Sequence, residues 1–136
     1  MRRCLGILAL VMGIAAPAAG AVTAETFELK NGADLIELCD VTSDDPLAKE
    51  AIQMCQGFGV GVYQTLRALG ESEKVDDFFC PPAKPLPRNE AFAKFVAWAK
   101  LPENLKYWSD SGAALIGRYL ITQYPCPKPA TQGGAR

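Results

Sequence analysis

From Ala48 to Leu69 apolar or small residues recur every three or four positions: Ala48, Ala51, Ile52, Cys55, Phe58, Gly59, Val62, Leu66 and Leu69. That spacing predicts about six turns of amphipathic helix with one face in a core. The helix is expected to start at Pro46, with Asp45 ahead of it, and to end at Gly70. Gly57, Gly59 and Gly61 lie in its middle, and each costs roughly 1 kcal/mol against Ala. Close packing against another backbone is therefore expected at these glycines. Gly57 and Gly61 share a helix face, which a neighbouring helix of this chain or of a second copy would fit. A Gly-x-Gly-x-Gly phosphate loop is the competing reading. No strand pattern precedes it and no lysine follows directly, so a central core helix is preferred.

The remaining segments follow the same period. Thr26 to Lys30 is a short extended lead-in. Asn31 is placed to cap a first helix, Gly32 to Asp40, with Leu35, Ile36, Leu38 and Cys39 on its apolar side and Asp34 in the favourable first turn. Thr42 to Pro46 is a polar turn. After the long helix, Glu71 to Asp77 is an acidic loop, and Pro81, Pro82, Pro85 and Pro87 predict a stiff extended arm. Asn89 is expected to cap a third helix reaching Lys100, with Phe92, Phe95, Val96 and Ala99 on one stripe. Beyond the Leu101-Pro102 break, Leu105, Trp108, Gly112, Leu115, Ile116, Tyr119 and Leu120 keep helical spacing. One helix from Pro102 to Tyr124 is favoured; a break at Ser109 to Gly112, with Ser109 or Ser111 as a new cap, is the alternative. No sustained strand alternation occurs. The pattern predicts an all-α fold, a compact bundle of four to five helices with two disulfides.

The first two dozen of the 136 residues stand apart from this pattern. Arg2 and Arg3 precede an apolar run from Leu5 to Ala16, and small residues then offer cleavage after Ala21 or Ala24. Residues 1–24 read as a cleaved secretory signal, 25–127 as the helical domain and 128–136 as a disordered tail. Removing Arg2 and Arg3 leaves 12 basic residues against 15 acidic ones, a net charge of −3. That balance argues against nucleic acid as a partner, and no second apolar run is long enough to span a membrane.

With Cys4 in the signal, four cysteines remain: Cys39, Cys55, Cys80 and Cys126. An even number behind a signal peptide reads as two disulfides in an oxidising compartment. No Cys-x-x-Cys pair and no histidine support a metal site. Three connectivities are possible. If the third and fourth helices form an antiparallel hairpin, Cys80 precedes the start of one and Cys126 follows the end of the other. The fourth helix would be longer by about ten residues, roughly 15 Å, a distance that the proline arm can cover. Cys80–Cys126 is therefore the first expected pair, and Cys39–Cys55 follows by elimination. A second helix starting at Pro46 would set Cys39 and Cys55 uncomfortably far apart.

Little in the chain carries chemistry. The absence of histidine removes the common general base and the Ser-His and Cys-His nucleophile pairs. The carboxylate pairs Asp44/Asp45 and Asp76/Asp77 lie in polar loops, and disulfides would leave no free thiolate. No catalytic residue, metal or cofactor is implied, which points to a protein that works by binding. The aromatic residues least explained by a core are Trp98, Tyr107 and Trp108, around the joint Lys100 to Ser111. With Asp110 they form the candidate partner-binding set, since Trp and Tyr combine apolar area with a polar handle. The alternative for Trp108 is that it covers the helix pair.

Taken together, the chain resembles the Rap/Tai family of immunity proteins associated with type VI secretion. The resemblance lies in Asn31-Gly32-Ala33-Asp34-Leu35 through Leu38-Cys39, in Cys55-Gln56-Gly57-Phe58 with Gly61-Val62, and in Phe79-Cys80-Pro81-Pro82. It continues through Pro102-Glu103 to Tyr124-Pro125-Cys126, covering about residues 26 to 126. Tyr63-Gln64-Thr65 departs from it, where an acidic residue is expected. The resemblance implies a periplasmic, disulfide-bonded helical protein, often a homodimer, that binds and blocks a peptidoglycan amidase delivered by neighbouring cells. An acid-stress chaperone of the HdeA-like type is the alternative, against which stand the missing histidines and the stiff disulfide frame.

Overall fold

Asn31 ends the lead-in by turning its extended backbone into helix α1 (Gly32–Cys39). Its side-chain oxygen accepts the Asp34 N–H at 3.1 Å, and the Asp34 carboxylate accepts the Lys30 N–H at 2.8 Å. This reciprocal cap satisfies donors that the first turn leaves open. A helix of 8 residues is too short to persist alone. It is held by burial: Leu35 and Leu38 are fully enclosed, and α1 packs against each of the other three α-helices. The structure is a computed structural model that describes residues 21–72 and 77–127. Among these residues it contains four α-helices, two 3-10 segments (Thr26–Glu28 and Pro102–Tyr107) and no strand. Most of the expected signal and all of the expected tail lie outside the described residues.

Helix α2 (Ala48–Gly70) begins two residues later than Pro46. The reason is Asp45, whose carboxylate accepts the N–H of Leu47 at 2.7 Å and of Val22 at 2.9 Å. The chain thus completes a turn before the helix starts. That turn brings Cys39 and Cys55 to a Cα–Cα distance of 5.2 Å, and they form a disulfide. Ala51, Cys55 and Gly59 are buried on the predicted stripe, while Leu69 at its end is exposed.

Only one of the three central glycines is closely packed within this chain. A Cβ on Gly59 would lie 2.5 Å from the Phe92 ring, whereas a Cβ on Gly57 or Gly61 would meet nothing within 4 Å. Close packing of Gly57 and Gly61 against a helix of the same chain is therefore not found. Those two positions face outward because the buried stripe runs through Gly59, half a turn or so away.

Helix α3 (Arg88–Ala99) follows Pro87 directly and has no side-chain cap; Asn89 lies inside the helix and does not cap it. Phe95, Val96 and Ala99 carry its buried stripe. The favoured continuous helix from Pro102 to Tyr124 is not formed. A 3-10 segment, Pro102–Tyr107, comes first, and α4 (Gly112–Gln123) starts afresh where the Ser111 side chain accepts the Ala114 N–H at 3.2 Å. The apolar period runs through this break because Trp108 still faces the core, although Leu105 does not.

The main core joins Leu35 and Ile36 of α1 to Phe95, Val96 and Ala99 of α3, to Leu115, Ile116, Tyr119 and Leu120 of α4, and to Phe79. A smaller cluster on the other side of α1 contains Leu38, Val22, Ala51 and Cys55. Phe79 anchors the proline arm, the Cys80 N–H donates to the Tyr124 carbonyl at 2.8 Å, and Cys80 and Cys126 are bridged at a Cα–Cα distance of 4.8 Å. Both expected disulfides are present. The expected reason for the second does not hold, since α3 and α4 have 12 residues each. In the chain-entropy model the two cross-links contribute about 3 and about 4 kcal/mol, comparable with the whole net stability of a small domain.

Candidate functional site

Between α3 and α4 the chain makes a joint from Lys100 to Ser111 that would be loose if held only at its ends. Four hydrogen bonds fix it. The Asn104 side-chain amide donates to the Trp98 carbonyl at 2.7 Å, and the Trp108 indole N–H donates to the Ala99 carbonyl at 2.9 Å. The N–H groups of Gly32 and Ala33, open donors at the start of α1, reach the Asp110 and Trp108 carbonyls at 2.6 and 3.0 Å. Asn104 is one of the few buried polar residues, only 7% exposed. The joint is thereby stiffened, although only its middle is helical.

Two large apolar side chains project from this stiff element. Leu101 and Leu105 are 43% and 48% exposed. Charges in and beside the joint are tied in pairs, Lys100 with Asp40 at 2.6 Å and Arg118 with Asp110 at 3.3 Å. Such exposed pairs add little stability. Arg118 also lies 4.1 Å, and Lys106 4.9 Å, from the centre of the Tyr107 ring.

The sequence-derived candidates gather here, with differing exposure. Trp98 is half-buried against the Tyr119 ring at 5.5 Å, and Trp108 packs at the edge of the main core. Trp108 does cover the helix pair, as its alternative reading holds. Tyr107 is partly buried against the main core with the Arg118 guanidinium over its ring, and Asp110 is half-exposed. Sequence spacing missed Leu101 and Leu105. It assigned Leu105 to the buried stripe of a longer helix, and the proline after Leu101 was the one signal that this region turns outward. Asn104 gave no signal at all.

A second feature lies under the proline arm. A half-open apolar groove of about 340 Å³ runs between α2, α3 and α4, with Gly59, Phe92, Phe95, Ile116, Tyr119 and Pro85 among its walls. Its size is that of a pocket for an apolar side chain or small molecule. Tyr119 at its wall is buried, and that burial, reinforced by the neighbouring Tyr124 phenol, pushes its phenol well above the ordinary tyrosine range.

Asp76 lies outside the described residues, and the other loop carboxylates are structural or solvated. Asp45 holds the turn before α2, and Asp44 is exposed, its carboxyl held below the ordinary range by the Thr42 side chain. Asp77, Cys80 and Cys126 come together with the donor types of a metal site, but both sulfurs belong to the disulfide and are not available as thiolates. No helix among the described residues is long and apolar enough to cross a membrane.

No curated protein and no solved structure matches the chain significantly. The family profile for Rap1a immunity proteins matches residues 31–126. That span runs from the Asn31 cap of α1 to the Cys126 disulfide and takes in all four α-helices and the joint between α3 and α4. The chain therefore belongs to the family of Rap1a immunity proteins, which places it among the immunity proteins of type VI secretion.

Proposed function

We propose that this immunity protein works in the periplasm, where it binds a peptidoglycan amidase effector and neutralises it by covering the active site. It acts by binding and not by catalysis. The observation that carries this reading is the stiff joint from Lys100 to Ser111 presenting Leu101 and Leu105. An element already fixed before contact loses little conformational freedom on binding. Two exposed leucines on an element that also carries paired charges suit a protein interface with an apolar centre and a polar rim. Tyr107 and Asp110 belong to that rim.

A homodimer completes the proposal. The outward face of α2 at Gly57 and Gly61 leaves room for a second copy to approach closely, and Gly57→Leu would then convert dimer to monomer in light scattering. A wild-type chain that is monomeric at high micromolar concentration would remove this part.

The main test is co-purification of the mature chain with a secreted amidase sought among the adjacent genes, followed by a peptidoglycan hydrolysis assay. The proposal expects a stable complex and loss of hydrolysis. Leu101→Glu with Leu105→Glu should abolish both while leaving the circular dichroism spectrum unchanged. Inhibition that survives this double substitution would show that the joint is not the binding surface.

A further inference from the structure

Val22 lies just inside the boundary at which a secretory leader would be removed, yet it is built into the fold. It is only 6% exposed and packs in the small cluster with Leu38, Ala51 and Cys55. Its backbone nitrogen lies 2.9 Å from Oδ2 of Asp45, whose Oδ1 accepts the Leu47 N–H at the start of α2. The next residues continue the same structure. The Thr23 N–H donates to the Thr26 hydroxyl at 3.2 Å, and the Thr26 N–H donates to the Thr23 carbonyl at 3.1 Å. Ala21, by contrast, is exposed.

The sequence offers two cleavage positions, after Ala19-Gly20-Ala21 and after Val22-Thr23-Ala24, both with small residues at the required places. The fold distinguishes their products. Cleavage after Ala24 would discard Val22, open a gap in the cluster and leave Oδ2 of Asp45 without its partner. Cleavage after Ala21 keeps every one of these contacts.

We infer that the leader is removed between Ala21 and Val22, and that the new α-ammonium group of Val22 forms an ion pair with Asp45 that locks the start of α2. The step is hydrolysis by a leader peptidase. Water adds across the Ala21–Val22 peptide bond, Ala21 leaves as a carboxylate, and Val22 gains the amine that is protonated at neutral pH. The bond to the Asp45 carboxylate, until then from a neutral amide N–H, becomes one between two ionised groups, which is stronger. Asp45 thus joins three parts of the chain: the mature N-terminus, the turn after α1 and the first turn of α2. The inference rests on the periplasmic reading.

The test is intact-mass measurement and N-terminal sequencing of the protein recovered from the periplasm of an exporting bacterial host. A chain beginning at Val22 is expected; one beginning at Glu25 would overturn the inference while leaving export intact. Full-length protein confined to the cytoplasm would instead defeat the export reading itself. A thermal comparison then tests the ion pair. The Val22 form should melt higher than a form starting at Glu25 by about 5 °C, the shift that roughly 1 kcal/mol gives in a domain of this size. Asp45→Asn keeps an oxygen for Leu47 but removes the charge. It should lower the melting temperature of the Val22 form more than that of the Glu25 form. Equal effects on the two forms would rule out the pair.

Discussion

Gly57, Gly59 and Gly61 are indistinguishable in the sequence, and what separates them is one ring. Phe92 of α3 lies where a Cβ of Gly59 would go, while Gly57 and Gly61 face open space. Opposite effects follow from the same substitution. Gly59→Ala should destabilise the chain by about 1–3 kcal/mol through overpacking. In the isolated chain Gly57→Ala and Gly61→Ala should each add roughly 1 kcal/mol of stability through helix propensity, a gain that close contact with a second copy at this face would oppose. Urea denaturation of the three variants checks the contrast. The sequence revealed that a glycine here must be closely packed, but the residue that does the packing comes from a different helix. A second residue-level effect belongs to Tyr119. Its phenol is raised by burial in the folded state, so the unfolded chain releases that proton first, near pH 10. The associated stability is complete below about pH 10 and is lost as the pH rises further. Melting temperatures measured from pH 8 to 11 should fall less steeply for Tyr119→Phe than for the wild type.

At the scale of elements, the joint between α3 and α4 is where periodicity misleads. Leu105 and Trp108 keep the helical interval, yet only Trp108 turns inward. The proline at 102 and the serine cap at 111 interrupt the helix, and both were visible as local signals. What holds the joint together was not visible. The Asn104 bond to the Trp98 carbonyl and the α1 N–H bonds to Trp108 and Asp110 depend on tertiary placement. Asn104→Ala removes one of two hydrogen bonds to the Trp98 carbonyl, which keeps the Leu101 N–H at 3.2 Å, and should cost about 0.5–1.5 kcal/mol. It should also weaken effector binding without touching the effector, because a loosened joint must be ordered on contact. Hydrogen exchange would show faster exchange across residues 100 to 111, and calorimetry a less favourable binding entropy. Unchanged exchange there would mean that Asn104 does not stiffen the joint.

For the whole molecule, the all-α pattern and the even set of cysteines carried most of what could be read in advance. Both disulfides pair as the helix order suggests, though the second does so because the Cys80 N–H meets the Tyr124 carbonyl and not because α4 is long. The apolar groove under the proline arm arises only when separate segments converge, so spacing along the chain had no means to mark it, and the exposed leucines were signalled by Pro102 alone. Family membership settles that this is an immunity protein of type VI secretion. The central claim goes further, to an amidase blocked through the joint. The most direct measurement is peptidoglycan hydrolysis by the proposed amidase effector, titrated with the wild-type chain and with the Leu101→Glu, Leu105→Glu variant. The account predicts complete inhibition near one chain per effector by the wild type and none by the variant. Full hydrolysis in the presence of excess wild-type chain, or equal inhibition by both, would contradict it.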